Sequence, residues 1–331
     1  MKLVERIEVM TELGKYLKSN PPEWQEAKEK AYQANAWFTP DFINLATENI
    51  INEFLQKELL NNWAKHYFLD DNISPKNIGI VMAGNIPMVG FHDMLCVFIS
   101  GHRQVIKLSS KDNILMKQLI AMLHYLSPPI LPYISFAEML KGCDAYIATG
   151  NNNSSRYFNQ YFGAYPSIIR KNRTAVAILD GNESDAELAG LADDVYEYFG
   201  LGCRNVTKLY VPPRYDFVKL LSAFKRYDGM KDHPKYRNNY DYYLALQIMN
   251  NRYYMTNDSI ILTEDEQPFS AISILHYSYY IDKAALIAQL QNDENIQCIV
   301  GNGLTAFGSG QQPGLFTYAD GVDTMQFLLT L

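Results

Sequence analysis

Short apolar runs separated by stretches of helical spacing recur along most of this chain, and that alternation limits its fold more than any other feature. Residues 78–82 (IGIVM), 104–108 (QVIKL), 133–136, 145–148 (AYIA), 174–179 (TAVAIL) and 208–211 have the length and apolar character of strands. Between them, residues 91–99, 112–126 and 184–199 carry the long apolar stretches of helices. Parallel strands need a crossover rather than a hairpin, so strand, helix, strand in this order predicts an α/β fold with mostly parallel sheets.

The flanks of this alternation complete the expected organisation. Residues 1–75 read as helical, with apolar residues at helical spacing over 43–65, and Pro75 ends the region. After residues 78–82, Ala83-Gly84-Asn85 is expected as a tight turn and Pro87 as the first residue of the next helix. Alternation restarts after Asn172, which places a domain boundary there. Residues 215–253 are expected to be helical and broken at Pro234, 259–262 and 271–275 to be strand-like, 282–291 to be a helix and 296–300 a strand. The domains expected are therefore 1–172 and 173–300, with a glycine-rich, finally apolar tail (301–331) packing back on the first.

With 331 residues the chain is long enough for two domains. Its 29 Lys and Arg against 36 Asp and Glu leave a charge of -7, which repels a polyanion, so nucleic acid is not an expected partner. Residues 225–255 interleave basic and aromatic side chains, but with acids among them the tyrosines are read as an oligomer contact or a substrate rim, and a homo-oligomer is expected. Glu5 and Glu8 sit where a signal peptide needs an apolar run, and no stretch approaches the length of a membrane span; a cytoplasmic protein without integral membrane association is expected. Four cysteines, Cys96, Cys143, Cys203 and Cys298, lie far apart without metal-ligand spacing, so neither a disulfide framework nor a metal site is expected.

Individual thiols can still carry chemistry. In FGLGCRNVTKLYVPP, Cys203 follows a helix and Gly200 and Gly202, where backbone and substrate can approach the sulfur closely. A thiol of ordinary pKa is only about 3% thiolate at pH 7, so a nucleophilic cysteine needs backbone N–H groups or a cation, and Arg204 is adjacent. A small buried hydrophobe at a helix end is the plain alternative.

The order of motifs resembles the aldehyde dehydrogenase superfamily from about Ile78 onward. VMAGNIPMVGFHDMLCVFISGHRQVIKLSS is similar to the family's strand, Asn-x-Pro loop, helix and lysine-ended strand. AYIATGNNNSSRYF is similar to the strand and Thr-Gly turn beneath the cofactor phosphates. RTAVAILDGNESDAELAGLADDVYEYFGLGCRNVTKLYVP resembles the segment that opens the catalytic domain. The resemblance implies two Rossmann-like α/β/α domains behind an N-terminal helical region, the first binding a dinucleotide and the second carrying the catalytic thiol. It makes Cys203 the nucleophile and Asn85 the side-chain donor to the oxyanion, with the Cys203 N–H as second donor. Lys107 would reach the adenosine ribose, and Gly150 and Ser154 would meet the pyrophosphate. No GxGxxG fingerprint is present, and Ser154 also reads as a plain helix cap.

One departure bears on the reaction. Hydrolytic members carry a glutamate base just before the strand matched by TAVAIL, whereas Ile168-Ile169-Arg170-Lys171-Asn172 has no carboxylate. An acyl-cysteine without that base can persist and exchange with a thiol. In its glycine-poor cofactor loop, its FGLGCRN segment and its ADGVDTMQFL tail the chain most resembles the acyl-CoA reductases of bacterial bioluminescence, which implies acyl-CoA as substrate, coenzyme A as leaving group and NADPH as reductant, with NADH as the alternative. His276 is a candidate proton donor, His92 a weaker one, and Glu266 a candidate contact to the nicotinamide ribose. A cysteine-dependent acyltransferase or thioesterase, or a noncatalytic relative of the fold, are the competing expectations.

Overall fold

The computed structural model describes residues 1–331, apart from the side chain of residue 152. The chain divides into two units, residues 1–172 with 313–331, and residues 173–312. Each is built on one α/β sheet.

In the first unit four helices precede the sheet: α1 (Leu3–Ser19), α2 (Pro22–Ala34), α3 (Pro40–Asn49) and α4 (Lys57–His66). The stretch 43–65, read as helical, is interrupted by a π-helical turn, Ile50–Phe54. Leu55 and Gln56 then adopt non-helical angles. Trp24 and Trp63 are fully buried in this layer, each such side chain contributing about 1.5–3 kcal/mol by leaving water.

Five parallel strands follow, β1 (Asn77–Val81), β2 (Arg103–Lys107), β3 (Ile134–Phe136), β4 (Ala145–Thr149) and β5 (Ser167–Arg170), in the order β3-β2-β1-β4-β5. Helices α5 (Phe91–Ile99), α6 (Ile114–Leu126) and α7 (Asn152–Phe162) make the crossovers. Strand order reverses beside β1, and in open parallel sheets ligands bind beyond the carboxyl ends of the strands at such a point. Pro87 does not begin α5. Met88 takes a left-handed φ of 55°, its N–H is held by Asp112, and the helix starts only at Phe91.

The second unit holds β6 (Thr174–Ile178), α8 (Asp185–Tyr196), β7 (Val206–Val211), α9 (Phe217–Ala223), α10 (Pro234–Met249), β8 (Met255–Thr256), β9 (Ile261–Glu264), β10 (Ile274–Tyr279), α11 (Lys283–Gln291) and β11 (Ile296–Gly301). The sheet runs β11-β6-β7-β10-β9-β8, parallel except for the β8 edge. Pro234, expected as a break, is the first residue of α10, capped by the His233 ring. The strand expected over 271–275 lies further on, at β10, because Ala271 closes a turn with Ile274 before pairing begins.

The tail is shared between the units. Residues 313–331 return to the first unit and end in a helix, Thr324–Leu329, that buries Met325 and Leu328. Residues 301–312, expected with them, stay on the second unit. There the chain crosses α8 at Gly190, where a Cβ would lie 2.8 Å from the Phe307 carbonyl. Asp194 accepts the amides of Gly308 and Gly310 at 2.7 and 2.8 Å.

Candidate active site

Register places three of the expected ligand residues at one level of the first sheet. Val81 pairs with Lys107 on one side and with Ala148 on the other, so the loops after β1, β2 and β4 leave the sheet together. Asn85 lies, half-buried, in the first loop. Gly84 before it is buried against Ser109, whose Oγ would be 2.6 Å from an added Cβ, so only glycine fits there. Behind the loop, Asp112 is 4% exposed. Its Oδ2 accepts the Met88 amide at 2.6 Å, and among the described residues nothing bonds Oδ1. Burial pushes this carboxyl up to about 7.

Lys107 is exposed at the end of β2. Beyond β2 and β3 lies a cavity of about 300 Å³, with Leu108, Ser109, Ser110, Lys117, Phe136 and Glu138 among its lining. Gly150 follows β4 with the Phe158 ring and Ser154 Cβ packed so close, 2.8 and 2.9 Å from where a Cβ would be, that a side chain is excluded. The helix after it is capped by Asn151, not Ser154. Ser154 sits in the first turn and gives its N–H to Asn151 Oδ1 at 2.9 Å, so that amide is already engaged.

The segment before β6, which lacks a carboxylate, contributes a cation instead. Arg170 on β5 is buried and ion-paired with Asp93 of α5; it also reaches Thr324 Oγ1 at 2.8 Å, tying the C-terminal helix to the sheet. The two histidines are similarly engaged. His92 stacks on Phe54 and Tyr318 and bonds the Leu315 carbonyl at 3.2 Å. His276 lies 2.9 Å from the Gln267 carbonyl through Nδ1. A carbonyl only accepts, so the neutral ring carries its proton on Nδ1.

Cys203 belongs to the second unit and is half-buried, in the turn between α8 and β7. The turn departs from ordinary backbone. Tyr198, Phe199 and Gly200 are consecutively left-handed, with φ of 53°, 58° and 72°. For the two aromatic residues this costs about 1–2 kcal/mol each. Both aromatic rings are buried, and Phe199 packs on His233 and Tyr236 with centroids 4.5 and 5.8 Å apart. Arg204, next in sequence, is half-buried. Two acids border the turn: burial raises Asp194 to about 6 against the pull of the Gly308 and Gly310 amides, and burial with Asp193 and Asp194 nearby raises Glu197 to about 8.

Several groups that shape these loops carry no sequence signature. Asp112, Asp194, Asn205 and Lys208 are ordinary polar letters until the fold buries them. Lys208 on β7 is fully buried, donates to the Glu266 carbonyl at 2.8 Å, and lies 3.5 Å from the Glu266 carboxylate. Its ammonium is lowered by burial, partly offset by Glu266. Glu266 itself is 86% exposed.

Neither a protein-family model nor a curated protein matches the sequence. The backbone is similar to solved aldehyde dehydrogenases. Aldehyde dehydrogenase 21 from Physcomitrella patens, in complex with the reaction product succinate, has a TM-score of 0.67 at 13% identity, over 91% of this chain and 74% of that one. An NAD-dependent aldehyde dehydrogenase from Sinorhizobium meliloti gives 0.64 at 12%, over 91% and 70%. An NADP-dependent enzyme of E. coli gives 0.64 at 11%, over 91% and 73%. The chain has the aldehyde dehydrogenase fold.

Proposed function

We propose that this protein reduces an acyl-CoA, most suitably a fatty acyl-CoA, to the aldehyde through a thioester on Cys203. The observation that carries the proposal is the segment before β6, residues 168–172. Where hydrolysis would need a carboxylate, Arg170 points inward to Asp93, and none of residues 168–172 can take a proton from water as a carboxylate does. An acyl group on Cys203 then awaits a reductant or a thiol rather than water.

In the first step the Cys203 thiolate adds to the thioester carbon, and the tetrahedral oxyanion collapses as the bond to coenzyme A sulfur breaks. Asn85 and the Cys203 N–H are assigned as donors to that oxyanion; loss of one such donor typically costs about 3–4 kcal/mol. A bound nicotinamide would supply hydride to the acyl carbon. Cys203 then departs from the resulting hemithioacetal as thiolate, leaving aldehyde.

The first unit suits an adenine dinucleotide. Its cavity of about 300 Å³ lies at the carboxyl ends of β2 and β3 and combines apolar walls with serines and one charge of each sign. Lys117 could pair with a 2′-phosphate, as NADPH requires, while Glu138 could accept from ribose hydroxyls, which supports NADH as the alternative. Lys107 at the end of β2 and the Gly150 turn after β4 stand at the same carboxyl edge of the sheet. The test is acyl-CoA-dependent oxidation of NADPH or NADH with acyl chains from short to long. Activity abolished in Cys203→Ala supports the assignment; no consumption of either cofactor by folded protein with any chain length rejects it.

A further inference from the structure

We propose that Asn205 is the positioning residue of the Cys203 turn, closing residues 197–205 into a fixed loop that sets the backbone carrying the Cys203 thiol and N–H. The inference rests on Cys203 being the reacting thiol. Asn205 is completely buried, yet every polar atom of its carboxamide is used. Oδ1 accepts the Gly202 N–H at 2.7 Å. Nδ2 donates to the carbonyls of Glu197 at 2.8 Å and Asp194 at 3.0 Å, with Val195 O at 3.5 Å.

These bonds span the whole turn. Carbonyls at the end of a helix have no partner within it, and Asn205 supplies one from outside for the last turn of α8. On its other edge it holds the amide immediately before Cys203. Its own backbone is fixed to the sheet: the carbonyl accepts from the Ala175 N–H at 3.1 Å and Thr174 Oγ1 at 3.2 Å, and the N–H donates to Gly202 O at 3.1 Å. The turn is thus anchored to α8 through the Asn205 side chain and to β6 through its backbone.

Only a carboxamide meets this demand at that length. An aspartate offers two acceptors and would set an oxygen against the carbonyls of Glu197 and Asp194; a leucine would leave the Gly202 N–H and both carbonyls without partners. The left-handed run Tyr198 to Gly200 needs such over-determination, since non-glycine residues leave that region readily when released. Strain held in place beside a thiol is the signature expected of a preorganised group.

The test uses the full chain and requires neither acyl-CoA nor dinucleotide, so its failure is distinct from failure of the proposed reaction. Alkylation of Cys203 by iodoacetamide is followed by intact mass against pH in wild type, Asn205→Ala and Asn205→Ser, with Cys203→Ser as the blank, well below each unfolding midpoint. Hydrogen exchange is read in parallel over residues 197–205. A positioning role gives a wild-type Gly202 amide protected at least a hundredfold. In the variants that protection is lost while β7 keeps its own, and the alkylation rate at pH 7 changes at least fivefold or its pH midpoint moves by half a unit or more. Variant profiles that superimpose on wild type overturn the proposal, as a merely structural role would lower only the unfolding midpoint. Should neither variant fold, a wild-type Gly202 amide exchanging within tenfold of the free-peptide rate overturns it, and hundredfold protection supports it.

Discussion

Asp112 and Met88 meet across the loop that carries Asn85: the carboxylate accepts the Met88 N–H at 2.6 Å while Met88 stands in a left-handed conformation. The bond explains why the helix after β1 starts four residues later than its proline suggests. It also buries a carboxyl with one oxygen unbonded among the described residues.

That burial has a consequence for stability against pH. With Asp112 raised to about 7, the folded protein keeps a proton that the unfolded chain has lost above about pH 4. Stability from this group is full below that value, falls as pH rises toward 7 and levels off above it. Three units correspond to a loss on the order of 4 kcal/mol. Asp112→Asn, which can still accept from Met88, is expected to remove this slope. Urea unfolding at pH 5 and pH 8 checks it: the variant should gain on wild type at pH 8, and equal differences at both pH values would count against it.

Arg170 and Asp93 form a buried ion pair whose partners depend on each other. Arg170→Met or Asp93→Leu alone leaves an uncompensated buried charge and is expected to cost about 3–5 kcal/mol in urea unfolding, whereas the double substitution should cost far less. Because Arg170 also bonds Thr324, the single variants should exchange faster over 324–329.

Glu138 faces the cavity beyond β2 and β3 together with Lys117. If this cavity takes the adenosine end of the cofactor, Glu138→Gln should shift the kcat/KM ratio of NADPH over NADH upward by about fivefold, near 1 kcal/mol. An unchanged ratio with intact activity would place the adenosine elsewhere.

Much of the fold is legible in the sequence because buried parallel strands are short, apolar and bounded by turn residues. Residues 78–82, 145–148, 174–179 and 296–300 announce β1, β4, β6 and β11 within a residue or two. β5 is harder to see, since Ser167 and Arg170 flank only two isoleucines and the arginine is buried through an ion pair with a residue 77 positions earlier. The π turn at Ile50–Phe54 keeps the apolar spacing of a helix and so hides the break. Cys203 stands out by its glycines. Asn205 does not, because nothing local marks an asparagine whose partners lie on the preceding helix. Ser154 reads equally as a cap or a ligand contact until the geometry gives the cap to Asn151.

The central claim is that Cys203 forms an acyl thioester that a nicotinamide cofactor then discharges. Intact-mass spectrometry after incubation with a fatty acyl-CoA, with and without NADPH or NADH, tests it most directly. The account expects one acyl group on the protein, mapped to Cys203, absent in Cys203→Ala, and lost on adding reduced cofactor as aldehyde appears. An adduct that persists with the reduced cofactors would favour acyl transfer without a redox step, and no adduct at Cys203 at all would contradict enzymatic use of this thiol.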